Sequence, residues 1–339
     1  MNNEVYIIAE VGMAHDGSLG MAHSFIDALS GTGVNAVKFQ VHIAAAESSM
    51  SERFRINFSY EDRTRMDYWA RTEFTREQWA CLKTHCAANG MDFVASPFSI
   101  AAAELLQNIG AKKIKIASGE VTNHLLLKKI ARFADYVLLS SGMSNWDELD
   151  GAASILTNRE IAFSILQCTT AYPTQPSQWG LNVLDEIRNR YDVPAGFSDH
   201  SGDIYAGLAA AAHGASTIEV HATFDQCMFG PDARASLDMR QISSLVKGIR
   251  QIENAVRHPV NKLHNEDFRE LSKIFGKSLA LNKHLKKGHI VRLEDLETKK
   301  PAGQGMDVRN YQQAVGRMLL RDMPQWEFLQ EHDLEPCEK

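Results

Sequence analysis

VPAGFSDHSGDIYAGLAAAAHGASTIEVHATFDQCMFGPD, residues 193–232, holds two short apolar runs, each ending in a histidine. His200 follows Ser198 and Asp199, and His221 follows Glu219. Between them lies a small-residue helical pattern, Ile204 to His213, closed by Gly214. A strand, helix, strand unit of this kind sets two parallel strands side by side with their carboxyl ends at one edge. Both imidazoles are therefore predicted at one rim. Two neutral imidazoles there can hold a divalent metal ion, which would polarise a carbonyl oxygen. The plainer alternative, each histidine capping its strand and bonding to backbone, suits one histidine better than two at matching ends.

The same rhythm extends outward in the chain. β-rich runs occur at 5–12, 35–40, 91–98, 112–118, 136–142, 163–170, 195–200 and 217–223. Helical patterns occupy 18–29, 75–88, 101–109, 123–133, 146–156, 182–190, 204–213 and 238–256. Several have visible ends: Thr75 with Glu77 at a start, Gly90 and Gly110 after a finish. Eight strands alternating with eight helices predict a closed (β/α)8 barrel of the α/β class, the TIM-barrel architecture, whose chemistry sits at the carboxyl ends of the strands. The polar residues read at those ends are Glu10, Lys38, Gln40, Ser96, Lys115, Ser118, Glu120, Ser140, Gln167, Thr169, Ser198, His200, Glu219 and His221. An open doubly wound sheet would not need every strand end to be polar, so the barrel is preferred.

At 339 residues the chain is too long for the barrel alone. The expected organisation is a barrel at 1–260, a linker at 261–276, and a small β-rich domain at 277–339 with a turn at Lys287 and Gly288. The connection 43–74 is charged, aromatic and longer than most, which predicts a lid or substrate loop. Apolar content of 44% and charged content of 23% are those of a soluble globular protein. A net charge of −6 argues against a nucleic-acid surface, and no run is long enough to cross a bilayer. Cys81, Cys86, Cys168, Cys227 and Cys337 lack metal-ligand spacing and fit free thiols in a reducing compartment, hence a cytoplasmic protein.

Lys38 with Gln40, and Lys115 with Ser118, are predicted to line the mouth. With Ser96, Ser140 and Ser198 they would cradle a ligand carrying both a phosphate and a carboxylate. The competing reading has the lysines reaching to solvent and the serines capping helices. Glu10 and Glu120 are each either a partner for a lysine or a general base. His15 stands without the second histidine that a metal-dependent amidohydrolase would want on the first strand.

AEVGMAHDGS, VKFQ, SPFS, KIASGE, SSGM, CTTAYPT, FSDHS, EVH and FGPD, in this order, resemble the sialic acid (nonulosonic acid) synthase family. The tail resembles that family's antifreeze-protein-like SAF domain. The resemblance implies condensation of phosphoenolpyruvate with an open-chain N-acyl hexosamine, releasing phosphate and giving a nine-carbon keto acid. It implies a divalent ion, Mn²⁺ or Mg²⁺, on His200 and His221. Lys38, Ser96, Lys115, Ser118, Ser140, Thr170 and Ser198 would then hold phosphoenolpyruvate. Gln40, Glu120, Asp232 and Lys300 would face the sugar, and Glu10 would stand near the reacting carbon. A domain-swapped homodimer is implied as well. Ala14, Thr170, Gln226, Cys227 and Lys300 depart from the family pattern, which leaves the acceptor open between N-acetylmannosamine and a 6-deoxy diacetamido hexose. A lysine Schiff-base aldolase and a non-catalytic carbohydrate binder stay open beside the synthase.

Overall fold

The computed structural model describes residues 4–263 and 266–336, so Cys337 lies outside the described residues. The first unit is a closed barrel of eight parallel strands in sequential order: β1 (Tyr6–Gly12), β2 (Ala36–Val41), β3 (Asp92–Pro97), β4 (Lys113–Ile116), β5 (Tyr136–Ser140), β6 (Ala162–Cys168), β7 (Ala195–Asp199) and β8 (Thr217–His221). β8 closes the ring on β1, with Glu10 in register with both Lys38 and His221.

Side chains alternate faces along each strand. Ile7, Ala9 and Val11 of β1, Val37, Phe39 and Val41 of β2, and their counterparts elsewhere pack outward against the helices in one continuous apolar shell. The opposite face fills the barrel. Ile8, Ala36, Val94, Leu138 and Leu166 form its apolar middle layer, and the next residues up the same faces are Glu10, Lys38, Ser96, Ser140 and Cys168. Gly196 belongs to this inner face for a steric reason: a Cβ there would lie 2.9 Å from the Thr217 carbonyl oxygen and 3.0 Å from Leu166 Cγ.

Helix starts are local. Ser18 caps the helix Leu19–Ser30 by accepting from the Met21 amide. Thr75 caps Arg76–Ala88, but its reciprocal partner is Gln78 rather than Glu77, because the capping box closes on the third helical residue. The connection 43–74, read as a loop, holds two short helices, Ala44–Glu47 and Arg65–Thr72. The second has a full capping box between Thr64 and Asp67, a signal present in TRMD.

The chain divides between His258 and Pro259. The second unit includes the expected linker, within which Arg269–Phe275 is helical. Its antiparallel pair, β9 (Ser278–Leu281) and β10 (Leu296–Lys299), is extended by isolated bridges such as Ala280 to Phe328 and Leu319 to Leu334. A separate small core around Leu279, Leu281, Leu319, Met323 and Leu329 holds it.

Candidate active site

At the carboxyl ends of the strands lies a cavity of 360 Å³, lined by Lys38, Gln40, Lys115, Ser118, Glu120, Ser140, Thr170, Ser198, His200, His221 and Asp232 among others. Eleven of the fourteen residues predicted from sequence meet there. Two more stand just beneath. Glu10 is wholly buried with its carboxylate against Lys38 Nζ, and Ser96 Oγ lies 3.4 Å from the same ammonium. Lys300 is the exception: it belongs to the second unit, where its ammonium lies 5.3 Å from the centre of the Phe275 ring.

Gln167 and Thr169 do not face the cavity. Gln167 bonds Ser141 Oγ and the Trp179 carbonyl, and Thr169 donates to the Gln178 carbonyl. Alternation puts Cys168 inward instead, and a one-residue misreading of β6 exchanges the two faces. Conversely, Glu219, a strand-end residue to which the sequence assigns no role, stands two residues before His221 on the same face and lines the cavity. Arg55, Tyr172 and His42 also line the cavity. Nothing in the sequence pattern of the 43–74 connection marked Arg55.

The floor of the cavity is a buried charge lattice. Lys115 Nζ lies 2.9 Å from Glu219 Oε1, which Lys38 Nζ approaches to 3.7 Å and to which Ser198 Oγ donates at 2.8 Å. Burial disfavours charge on Glu219 and on Lys38, yet the partners win. The two ammonium groups hold the Glu219 carboxyl well below its usual range, and Glu10 and Glu219 hold Lys38 above its own. Two lysines against two carboxylates leave the floor without net charge, so a multiply anionic ligand needs a further cation.

The imidazoles fit that need. Their ring centres are 5.1 Å apart, and His200 is kept neutral by burial and by its neighbour His221. His200 Nδ1 donates to the Thr169 carbonyl at 3.2 Å, which leaves Nε2 with a lone pair for a metal. Glu219 Oε2 and Glu10 Oε1 are buried without hydrogen-bond partners among the described residues, and such atoms call for a ligand or cation. No group of three or more His, Cys, Asp or Glu gathers around one point among the described residues. Two imidazoles would therefore leave most positions on an ion to water and substrate.

Gly142 completes the anion side. A Cβ at this position would sit 2.5 Å from Ser118 Oγ and 2.8 Å from Thr170 Oγ1, so only glycine leaves those hydroxyls their place. Glu120 holds Asn123 Nδ2 at 2.8 Å, and its carboxyl is pushed up by burial. Asp199, directly before His200, is likewise raised by burial, to about 6.

Known proteins resemble the chain over most of its length. Residues 25–261 match the model of the NeuB family. The N,N'-diacetyllegionaminic acid synthase of Campylobacter jejuni is 31% identical over 96% of this chain and 98% of its own length. The human N-acetylneuraminate-9-phosphate synthase is 29% identical over 93% and 88%. Among solved structures, the N-acetylneuraminic acid synthetase of Leptospira borgpetersenii, crystallised with citrate, superposes with a TM-score of 0.71 at 30% identity, covering 80% of this chain and 90% of that one. A match over most of the barrel, on a chain whose relatives align nearly end to end, is decisive: the chain belongs to the NeuB family.

Proposed function

We propose that this protein condenses phosphoenolpyruvate with an open-chain N-acyl hexosamine, giving a nine-carbon 2-keto acid and inorganic phosphate. It is then a carbon–carbon bond-forming transferase of sialic acid type. The observation that carries the reading is the meeting of two lysines, two glutamates and two imidazoles, from four strands and the residue just after β7, at the buried end of one cavity.

Lys38 and Lys115, with Ser118, Ser140, Thr170 and Ser198, hold the carboxylate and phosphate of phosphoenolpyruvate, and Ser96 fixes Lys38. Gln40, Glu120 and Asp232 orient the acceptor. A divalent ion, Mn²⁺ or Mg²⁺, held by His200 and His221 would supply Lewis-acid polarisation of the acceptor aldehyde. Attack by the methylene carbon of phosphoenolpyruvate on that aldehyde leaves positive charge at C2. Glu10, buried and with a free oxygen, stabilises this charge and takes a proton from the water that adds at C2. Collapse of the adduct releases phosphate and forms the ketone.

The second unit is read as a SAF domain that, in a domain-swapped homodimer, brings Lys300 to the partner chain's acceptor. The unpaired thiols of Cys81, Cys86, Cys168 and Cys227 support a reducing, cytoplasmic setting. A lysine Schiff-base mechanism through Lys38 is disfavoured, because its carboxylate neighbours hold that amine in the protonated, non-nucleophilic form. Phosphate release should require phosphoenolpyruvate, an N-acyl hexosamine and a divalent ion together, and should disappear in His200→Ala. Release that survives chelation, or a pyruvate adduct trapped by borohydride, would overturn the reading.

A further inference from the structure

The outer wall of the barrel carries a cluster of titratable side chains that the cavity does not use. The helices Leu19–Ser30 and Arg76–Ala88 pack against each other. Each presents two polar side chains four residues apart, a spacing that puts both on one face. The first helix offers His23 and Asp27, the second Cys81 and His85. None of the four lines the cavity.

Their contacts run in a line. Asp27 Oδ1 lies 2.9 Å from His85 Nε2, His85 Nδ1 lies 2.8 Å from His23 Nδ1, and His23 Nε2 lies 3.8 Å from Cys81 Sγ. The carboxylate at one end sets the direction, because it can only accept. His85 therefore donates from Nε2 and, as a neutral ring, accepts at Nδ1. His23 must then donate from Nδ1, which leaves its Nε2 lone pair facing the thiol. Acceptor, two oriented imidazoles and proton donor follow one another as they do around an activated nucleophile. Strung out in this way they do not gather around one point, and no metal-holding group of three occurs among the described residues. Cys81 is exposed, whereas Cys86 on the same helix is wholly buried in the apolar shell and cannot serve as its disulfide partner.

We propose that Cys81 is a modification site, a nucleophilic thiol with His23 as its base, which takes an oxygen from a hydroperoxide and is then capped by a low-mass thiol. As the sulfur attacks the distal peroxide oxygen, the O–O bond breaks and the thiol proton passes to His23 Nε2. The His23 Nδ1 proton moves on to His85, whose positive charge rests against Asp27. The departing oxygen recovers a proton through solvent, so thiol and hydroperoxide give sulfenic acid and an alcohol or water. Sulfur loses two electrons and the peroxide gains them. The second thiol then forms an S–S bond as water leaves. In a reducing setting that disulfide is transient, which makes the mark reversible.

The test uses the full, reduced chain, with Cys227, the other exposed thiol among the described residues, as internal reference. At about pH 7, residue-resolved alkylation by limiting iodoacetamide should be at least about tenfold faster at Cys81 than at Cys227. His23→Gln should bring Cys81 to within about twofold of Cys227, and Asp27→Asn, which keeps both imidazoles, should slow Cys81 by about threefold or more. Hydrogen peroxide followed by glutathione should add glutathione to Cys81, and His23→Gln should lose most of that addition. The comparison of Cys81 with Cys227 uses the unaltered chain, so it decides the matter even where a variant does not fold. Equal rates at the two thiols, a fast rate at Cys81 that survives His23→Gln, or a fast thiol that takes up no glutathione would overturn the inference.

Discussion

Lys113 and Lys115 stand two residues apart on the same face of β4, and each meets a carboxylate inside the barrel. Lys113 pairs with Asp92 on the adjacent strand at the amino-terminal end, where the two side chains are 39% and 44% exposed. Lys115 reaches across the barrel to Glu219 of β8 at the carboxyl end, where both are 3% exposed. The cavity beside Lys113 is the larger, 660 Å³ against 360 Å³. Volume therefore does not mark the functional end. What marks it is charge held out of water, with carboxylate oxygens left unpartnered and two imidazoles at hand. At the Lys113 end the network is closed: the Tyr6 hydroxyl donates to Asp92 Oδ2 at 2.5 Å, and burial together with that carboxylate pushes the phenol well above its usual range.

The contrast can be broken most directly through activity. Lys115→Ala is expected to lower the rate of phosphate release by about a thousandfold, the scale of losing a preorganised charge aimed at the reacting anion. Lys113→Ala should stay within about twofold. Comparable losses in both would mean that the two ends do not differ as argued.

Stability gives the next contrast. Removing Lys115 strands part of the Glu219 charge in the interior and is expected to cost about 3 kcal/mol in urea unfolding. Removing Lys113 from its half-exposed pair should cost less than about 1 kcal/mol.

A smaller effect is expected through pH at His15, which is not among the residues lining the cavity. His15, in the loop after β1, is buried against Phe74 and Trp79, and burial, aided by His42, lowers its pKa to about 3. The unfolded chain takes up this proton near pH 6.5 and the fold does not. The histidine's contribution is thus complete above that pH and is lost as pH falls toward 3. About 2 kcal/mol should go between pH 7 and pH 5. In His15→Phe the urea midpoint should fall less over that interval, and an unchanged pH dependence would refute the assignment.

The least effect is expected from Thr64→Ala, which opens the capping box of Arg65–Thr72 and should cost about 1 kcal/mol. Because Tyr68 and Trp69 of that helix line the cavity, the acceptor KM should rise modestly while Thr75→Ala, at a cap remote from the cavity, leaves it alone.

Much of this arrangement was legible from the chain alone. Eight runs of β-rich sequence between helical patterns determined the barrel, because the parallel crossover is a local unit repeated and each repeat carries its own period. The same periods put His200 and His221 at one rim, since strand length and alternation are local quantities. What the sequence could not determine is which residues meet across the barrel. The pairing of Lys115 with Glu219 joins residues 104 positions apart, and the placement of Arg55 on Tyr172 and Asp232 spans still less regular backbone. Lys113 and Lys115 are identical in type, strand and face, and the sequence separates them only by order, Lys115 lying nearer the carboxyl end of β4. Depth along the barrel axis separates them, and depth is set by closure of the ring, which puts one ammonium at an open end and encloses the other with carboxylates, imidazoles and hydroxyls that only the tertiary fold assembles.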